Sequence, residues 1–115
     1  MPDFSWTQAL TANQSDFRPL ATWRYRRLPF RALVSILQRS TGAAGNVRQT
    51  IDAGAQNIVQ KSPVQVGGTA GVTPIPQTTP VTQFVAEAGD EIIASVDETA
   101  GATPTVDGYI NVEPA

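Results

Sequence analysis

Apolar and polar residues alternate with a period of two along most of this chain, the repeat of a strand with one buried face. Trp23-Arg24-Tyr25-Arg26-Arg27-Leu28 predicts a strand with Trp23 and Tyr25 on one face and Arg24 and Arg26 on the other. Pro29 then interrupts the ladder. Residues 31–40 give the clearest strand: Ala32, Val34 and Ile36 share one face, and Leu33 and Leu37 lie on the other with Arg31, Ser35 and Arg39. Two partly apolar faces predict a central strand or one covered by a neighbour. Val47, Gln49, Ile51 and Ala53 alternate with Arg48, Thr50 and Asp52, between turns at 42–46 and 53–56. Residues 58–66 predict the next strand, with Pro63 marking an edge or bulge. A long loop then runs from Gly67-Gly68-Thr69-Ala70-Gly71 through Pro74, Pro76 and Pro80, the natural variable element of such a scaffold. Residues 81–86 and 92–96 predict a hairpin across Ala88-Gly89-Asp90. Residues 105–112 form the last strand, with Val106, Ile110 and Val112 on one face and Tyr109 opposite.

Residues 1–21 read differently. Phe4, Trp6, Leu10, Phe17 and Leu20 are scattered among polar residues with no sustained period. They predict an extended N-terminal arm, with a first strand of the same sandwich as the alternative. The expected organisation is an arm (1–21) followed by one domain (22–115). The fold class is all-β: a β-sandwich, jelly-roll-like, of seven to eight short antiparallel strands.

Composition agrees with the pattern. Val, Ile and Thr number 11, 7 and 13, and Gly and Pro nine each, which favours pleated strands joined by frequent turns. Charged residues make up only 16%, against roughly 25% in an average domain. The polar surface is instead Thr, Gln, Ser and Asn, which desolvates cheaply against a partner. At 115 residues the chain holds one domain with one modest core. No stretch has the roughly 18 apolar residues of a membrane-spanning helix. The first six residues lack the basic and apolar regions of a signal peptide, so synthesis in a cytoplasm is expected.

Charge matters by position. Residues 1–61 hold all eight bases (Arg18, Arg24, Arg26, Arg27, Arg31, Arg39, Arg48 and Lys61) against three acids, a net +5. Residues 62–115 hold seven acids and no base, a net −7. The halves can pair inside one domain, between subunits of an assembly, or leave the Arg cluster to a polyanion such as nucleic acid. Nucleic acid is the least favoured partner, because no second basic patch supports the first.

The residue inventory points away from catalysis. With no Cys and no His there is no thiolate or imidazole metal ligand and no Ser-His or Cys-His couple. Asp90-Glu91 and Asp97-Glu98 are sequence neighbours, and neighbours on a strand face opposite ways, so neither is an acid/base couple. A calcium site from Asp97, Glu98 and Asp107 requires two loop ends to converge. The stretch 67–71 lacks the Lys of a phosphate loop. No enzyme activity, cofactor or metal is expected. Trp6, Trp23, Tyr25 and Tyr109 would serve as a carbohydrate platform only on one exposed face; the alternative makes Trp23 the core tryptophan.

The Trp23-Arg-Tyr-Arg-Arg27 segment, the Gln-, Thr-, Ala- and Gly-rich strands and the tail Val106-Asp-Gly-Tyr-Ile-Asn-Val-Glu-Pro114 resemble small structural proteins of tailed double-stranded DNA bacteriophages. The likeness is greatest to head decoration (cement) proteins and extends over most of residues 20–115. It implies a small β-rich protein, made in the host cytoplasm. Such proteins sit as trimers or other oligomers on the outer capsid and reinforce junctions between major capsid subunits. In that setting Phe4, Trp6 and Phe17 would anchor the arm, and Arg24, Arg26, Arg27 and Arg31 would meet carboxylates of a capsid subunit or a sister copy. Two other classes remain open. One is a glycan- or receptor-binding module using the loop 67–80 and the aromatics. The other is a head–tail connector or tail component.

Overall fold

The computed structural model describes residues 3–41, 45–67, 71–75, 79 and 81–115. Among them the alternating pattern becomes eight strands: β1 (Asp3–Ala9), β2 (Ala32–Ser40), β3 (Val47–Ala53), β4 (Gln56–Pro63), β5 (Gln65–Val66), β6 (Val81–Ala86), β7 (Ile92–Glu98) and β8 (Thr105–Pro114). The chain is all-β, as its composition predicts. One sheet runs β1-β8-β2, with β5 and β6 end to end along the far side of β2. The other runs β4-β3-β7. Every pairing is antiparallel except β2 with β5.

The inner faces follow the sequence alternation. Ala32, Val34 and Ile36 of β2 and Ile110 and Val112 of β8 pack over Ile51 and Ala53 of β3 and Ile92 and Ala94 of β7. A second group, Leu10, Val47, Val64, Val96 and Val106, fills one end. β2 is central, as its two apolar faces predicted: β8 flanks one side and β6 with β5 the other.

Three expectations are corrected. Residues 3–9 are not a free arm but edge strand β1, paired with β8 from Asp3↔Asn111 to Ala9↔Thr105. Phe4 and Trp6, two residues apart, share the inner face, so docking on β8 buries Trp6 to 9% exposure and covers an otherwise open edge. Residues 23–28 are not a strand. The Trp23 N–H donates to Leu20 O (3.0 Å) and Arg24–Arg26 form a 3₁₀ turn. The Trp23 ring stacks on Phe4 (centroids 5.7 Å apart, planes at 16°) inside the core, and the turn lets Trp23 point in while Arg24 points out. Last, β6 and β7 are not a hairpin: β6 pairs β2 in one sheet and β7 pairs β3 in the other. The connection 87–91 instead crosses between sheets, held by Gly89 N–H to Leu28 O (2.8 Å) and Leu28 N–H to Asp90 O (3.0 Å).

The predicted strand 58–66 also crosses between sheets. β4 pairs β3 with register shifts and a positive φ at Lys61. After Val64, whose N–H donates to Val47 O (2.9 Å), β5 joins the first sheet. The predicted turn at 42–44 and the loop residues 68–70, 76–78 and 80 lie outside the described residues.

The two flanks of the sandwich differ as a result. On one flank the chain closes its own edge. Phe17 and Val96 exchange backbone hydrogen bonds (3.1 and 2.9 Å), and Glu98 N–H donates to Gln14 O (2.8 Å). Arg27 bridges to Glu91. The other flank carries the edges of β4 and β6, and among the described residues no strand lies against either.

Candidate interaction surface

The residues expected to form an interface divide into two groups. Phe4, Trp6 and Phe17 face the protein's own interior: Phe4 and Trp6 pack with Trp23, and Phe17 packs against the Leu10–Val106 group. Trp6 is buried, and Phe4 and Phe17 are partly buried. Trp6 lies over the backbone of Gly108, its register partner on β8, at a distance that leaves no room for a Cβ. Arg24, Arg26, Arg27 and Arg31 lie on and just after the 3₁₀ turn that leads into β2. Arg24 is exposed, stacks over the Tyr25 ring (4.8 Å to the centroid) and donates to the Tyr25 hydroxyl (2.8 Å). Arg26 donates to Trp23 O (3.1 Å) and lines a cavity of about 210 Å³ with Arg18, Leu20 and Glu91. Arg27 meets Glu91 (2.9 Å) and Gly89 O (3.1 Å), and Arg31 meets Glu87 (3.1 Å).

The charge split is thus used at least partly within the chain. Of the four ion pairs among the described residues, Arg27–Glu91, Arg31–Glu87 and Lys61–Asp97 join the basic half to the acidic half. The first two are surface pairs, worth about 0–1 kcal/mol each.

Asp97, Glu98 and Asp107 do not converge on a metal site. Among the described residues no three acidic side chains are grouped to hold an ion. Asp97 and Glu98 are strand neighbours facing opposite ways, and both bind the chain's own backbone. Asp97 accepts the Asp16 N–H (2.7 Å) and pairs with Lys61. Burial pushes its carboxyl up, but Lys61 and the Asp16 N–H outweigh that and hold it below the usual carboxylate range. Glu98 accepts N–H groups from Asn13 (3.2 Å), Ala100 (3.1 Å), Gly101 (2.7 Å) and Ala102 (3.2 Å). Burial again pushes up, and these backbone donors again win, so Glu98 also titrates low. Together the two carboxylates hold down 11–16, where Asn13 and Asp16 both take positive φ.

Asp107 has a related task on the outer face of the first sheet. It is 1% exposed and accepts the Thr7 hydroxyl (2.8 Å) and the Gly71 N–H (3.1 Å). Arg39, its register partner on β2, donates to Val72 O. Thr79 N–H closes on Ile75 O (3.0 Å), and Pro74 and Thr79 are buried. Buried polar groups therefore hold the start of 71–75 against the sheet, while Val72 and Ile75 are 52% and 50% exposed. The sequence signal for this surface is two aliphatic residues, Val72 and Ile75, set among the prolines of a loop otherwise small and polar.

The aromatics do not form a shared exposed platform. Trp6 and Trp23 are core residues. Tyr109 lies on the outer face of β8, where its hydroxyl donates to Asp3 (3.0 Å). Burial and the Asp3 carboxylate both raise its pKa. Comparison with protein-family models, with curated proteins and with solved structures finds no match.

Proposed function

We propose that this protein is a non-enzymatic structural component of a phage virion, a decoration protein that binds the outside of the head and supports contacts between major capsid subunits. The resemblance in the sequence supplies the setting. The single observation that carries the contact is the segment 71–75: Asp107 and Arg39 hold its start, and it presents two half-exposed aliphatic side chains. A loop held in place before binding loses less conformational entropy on docking, and apolar tips supply the area a protein partner buries. The Arg24–Tyr25 stack beside Arg27 and Arg31 offers carboxylates of a capsid subunit a second, polar contact. In this proposal Val72 and Ile75, and not the inward-packed Phe4, Trp6 and Phe17, are the anchors.

Two measurements test this. Quantitative mass spectrometry of purified particles should find the protein in numbers comparable with the major capsid subunit. Its absence from the particle, or a copy number of connector size, would refute the decoration role. Val72→Asp with Ile75→Asp should leave stability within about 0.5 kcal/mol, as exposed substitutions do, and abolish binding to undecorated heads. Undiminished binding would remove the loop from the interface.

A further inference from the structure

We infer that the outer edge of β6 is a self-association surface, on which a second copy of this chain adds its own β6 antiparallel about a two-fold axis at Gln83. The inference rests on the edge itself and is independent of the decoration role.

An open strand edge exposes a row of backbone donors and acceptors, and proteins normally blunt it with charge, proline, a bulge or a covering segment. The other edges here are blunted. β7 is covered by residues 14–28, β4 carries Lys61, Pro63 and register shifts, and β1 carries Asp3. Among the described residues β6 has none of these devices. Its sequence Val-Thr-Gln-Phe-Val-Ala is uncharged, and its six pairs with β2 run without a bulge from Ala32↔Ala86 to Leu37↔Val81. Val81 and Val85 on its outer face are both exposed.

The occupant follows from self-complementarity. Residues opposite one another in an antiparallel pair point to the same face. A two-fold at Gln83 therefore sets Val81 against Val85 of the second copy, and Val85 against its Val81. Gln83 meets itself on the same outer face. On the inner face Thr82 stands opposite Phe84 of the second copy. No like charges meet, because β6 has none. Thr82 also lines a cleft of about 490 Å³ that opens between the sheets beside β5 and β6. In that cleft the Oε1 of Gln38, a residue 4% exposed, has no partner among the described residues. A second β6 would place an aromatic ring at the mouth of this cleft. Pairing an edge with its own copy closes at two, so this contact forms a dimer; the trimer implied by the resemblance would need another surface.

The test uses the isolated full chain. Sedimentation should give a dimer that persists at high salt, since no ion pair crosses the edge. Gln83→Lys and Gln83→Glu should each halve the mass while keeping the far-ultraviolet spectrum, because each sets like charges face to face. Mixing the two variants should restore a dimer. The chain contains no cysteine, so Gln83→Cys provides an orthogonal readout. Facing Cα atoms across an antiparallel pair lie about 4.5–5.5 Å apart, within disulfide reach, and oxidation should yield a covalent dimer. A monomeric wild type, dimers in both charge variants, or no disulfide from Gln83→Cys would each overturn the inference. A wild-type monomer that gains a strand only from another protein would assign the edge to that protein instead.

Discussion

Gly108→Ala should destabilise this protein, although replacing glycine inside a strand ordinarily stabilises one. Gly108 does not have a positive φ, so alanine fits its backbone and should gain about 0.4–1 kcal/mol through the unfolded chain. The obstacle is Trp6. A Cβ on Gly108 would fall on Cε2, Cζ2 and Nε1 of the indole. The ring is 9% exposed and packs beside Phe4, and its neighbours leave it little freedom to move. Complete ejection would expose roughly 150–250 Å², about 4–6 kcal/mol at 25 cal/mol per Å². A partial shift of the ring costs the 1–3 kcal/mol typical of overpacking. The expected loss is therefore about 2–4 kcal/mol, a large part of the stability of a domain this size. Urea unfolding followed by tryptophan fluorescence measures it, and a double-mutant cycle isolates the cause. In a Trp6→Ala background the obstacle is gone, and Gly108→Ala should be neutral or stabilising. The reasoning fails if Gly108→Ala is as stable as wild type, or if the two substitutions add.

Two further outcomes follow from the buried carboxylates. Asp97 and Glu98 titrate below their unfolded values of 3.8 and 4.5, so their contribution is present above those values and is lost as pH falls through the lower folded ones. Acid should release 11–16 from β7 first, and the Asn13 and Asp16 amides should lose protection against hydrogen exchange as pH falls through the lowered carboxylate range; protection unchanged down to global acid unfolding would contradict this. Asp107→Ala strands the Thr7 hydroxyl and the Gly71 N–H, at about 1–3 kcal/mol, and should make the 67–80 loop the first site of limited proteolysis, whereas a wild-type cleavage pattern would show that Asp107 does not hold the loop.

β2, β3, β7 and β8 were legible because apolar residues recur two apart on one face of each, and a period of two needs no knowledge of the partner strand. Residues 23–28 misled for a related reason. Trp-Arg-Tyr-Arg alternates in sequence, yet a 3₁₀ turn also sends Trp23 inward and Arg24 outward. β1 was missed because only Phe4 and Trp6 carry its period, although their spacing of two was the signal. The hairpin assigned to β6 and β7 failed because a Gly89-Asp90 turn fits both a hairpin and a crossing between sheets. Only the positions of Leu28 and Arg27 decide between them.

By itself the sequence determined an all-β chain, its main strands, the inward faces of the clearest strands, and a separation of basic from acidic residues. Those properties are local: β-branching, alternation and charge order act within a few residues. Tertiary structure decided how they are used. It turned an apparent arm into an edge strand by setting Trp6 on Gly108, more than a hundred positions away. It placed acids beside bases, and it gave Asp97, Glu98 and Asp107 to backbone amides rather than to an ion. Among the described residues it also left the β6 edge unpaired while covering that of β7. Each of these depends on which distant segments meet, and an alternation of period two carries no information about that.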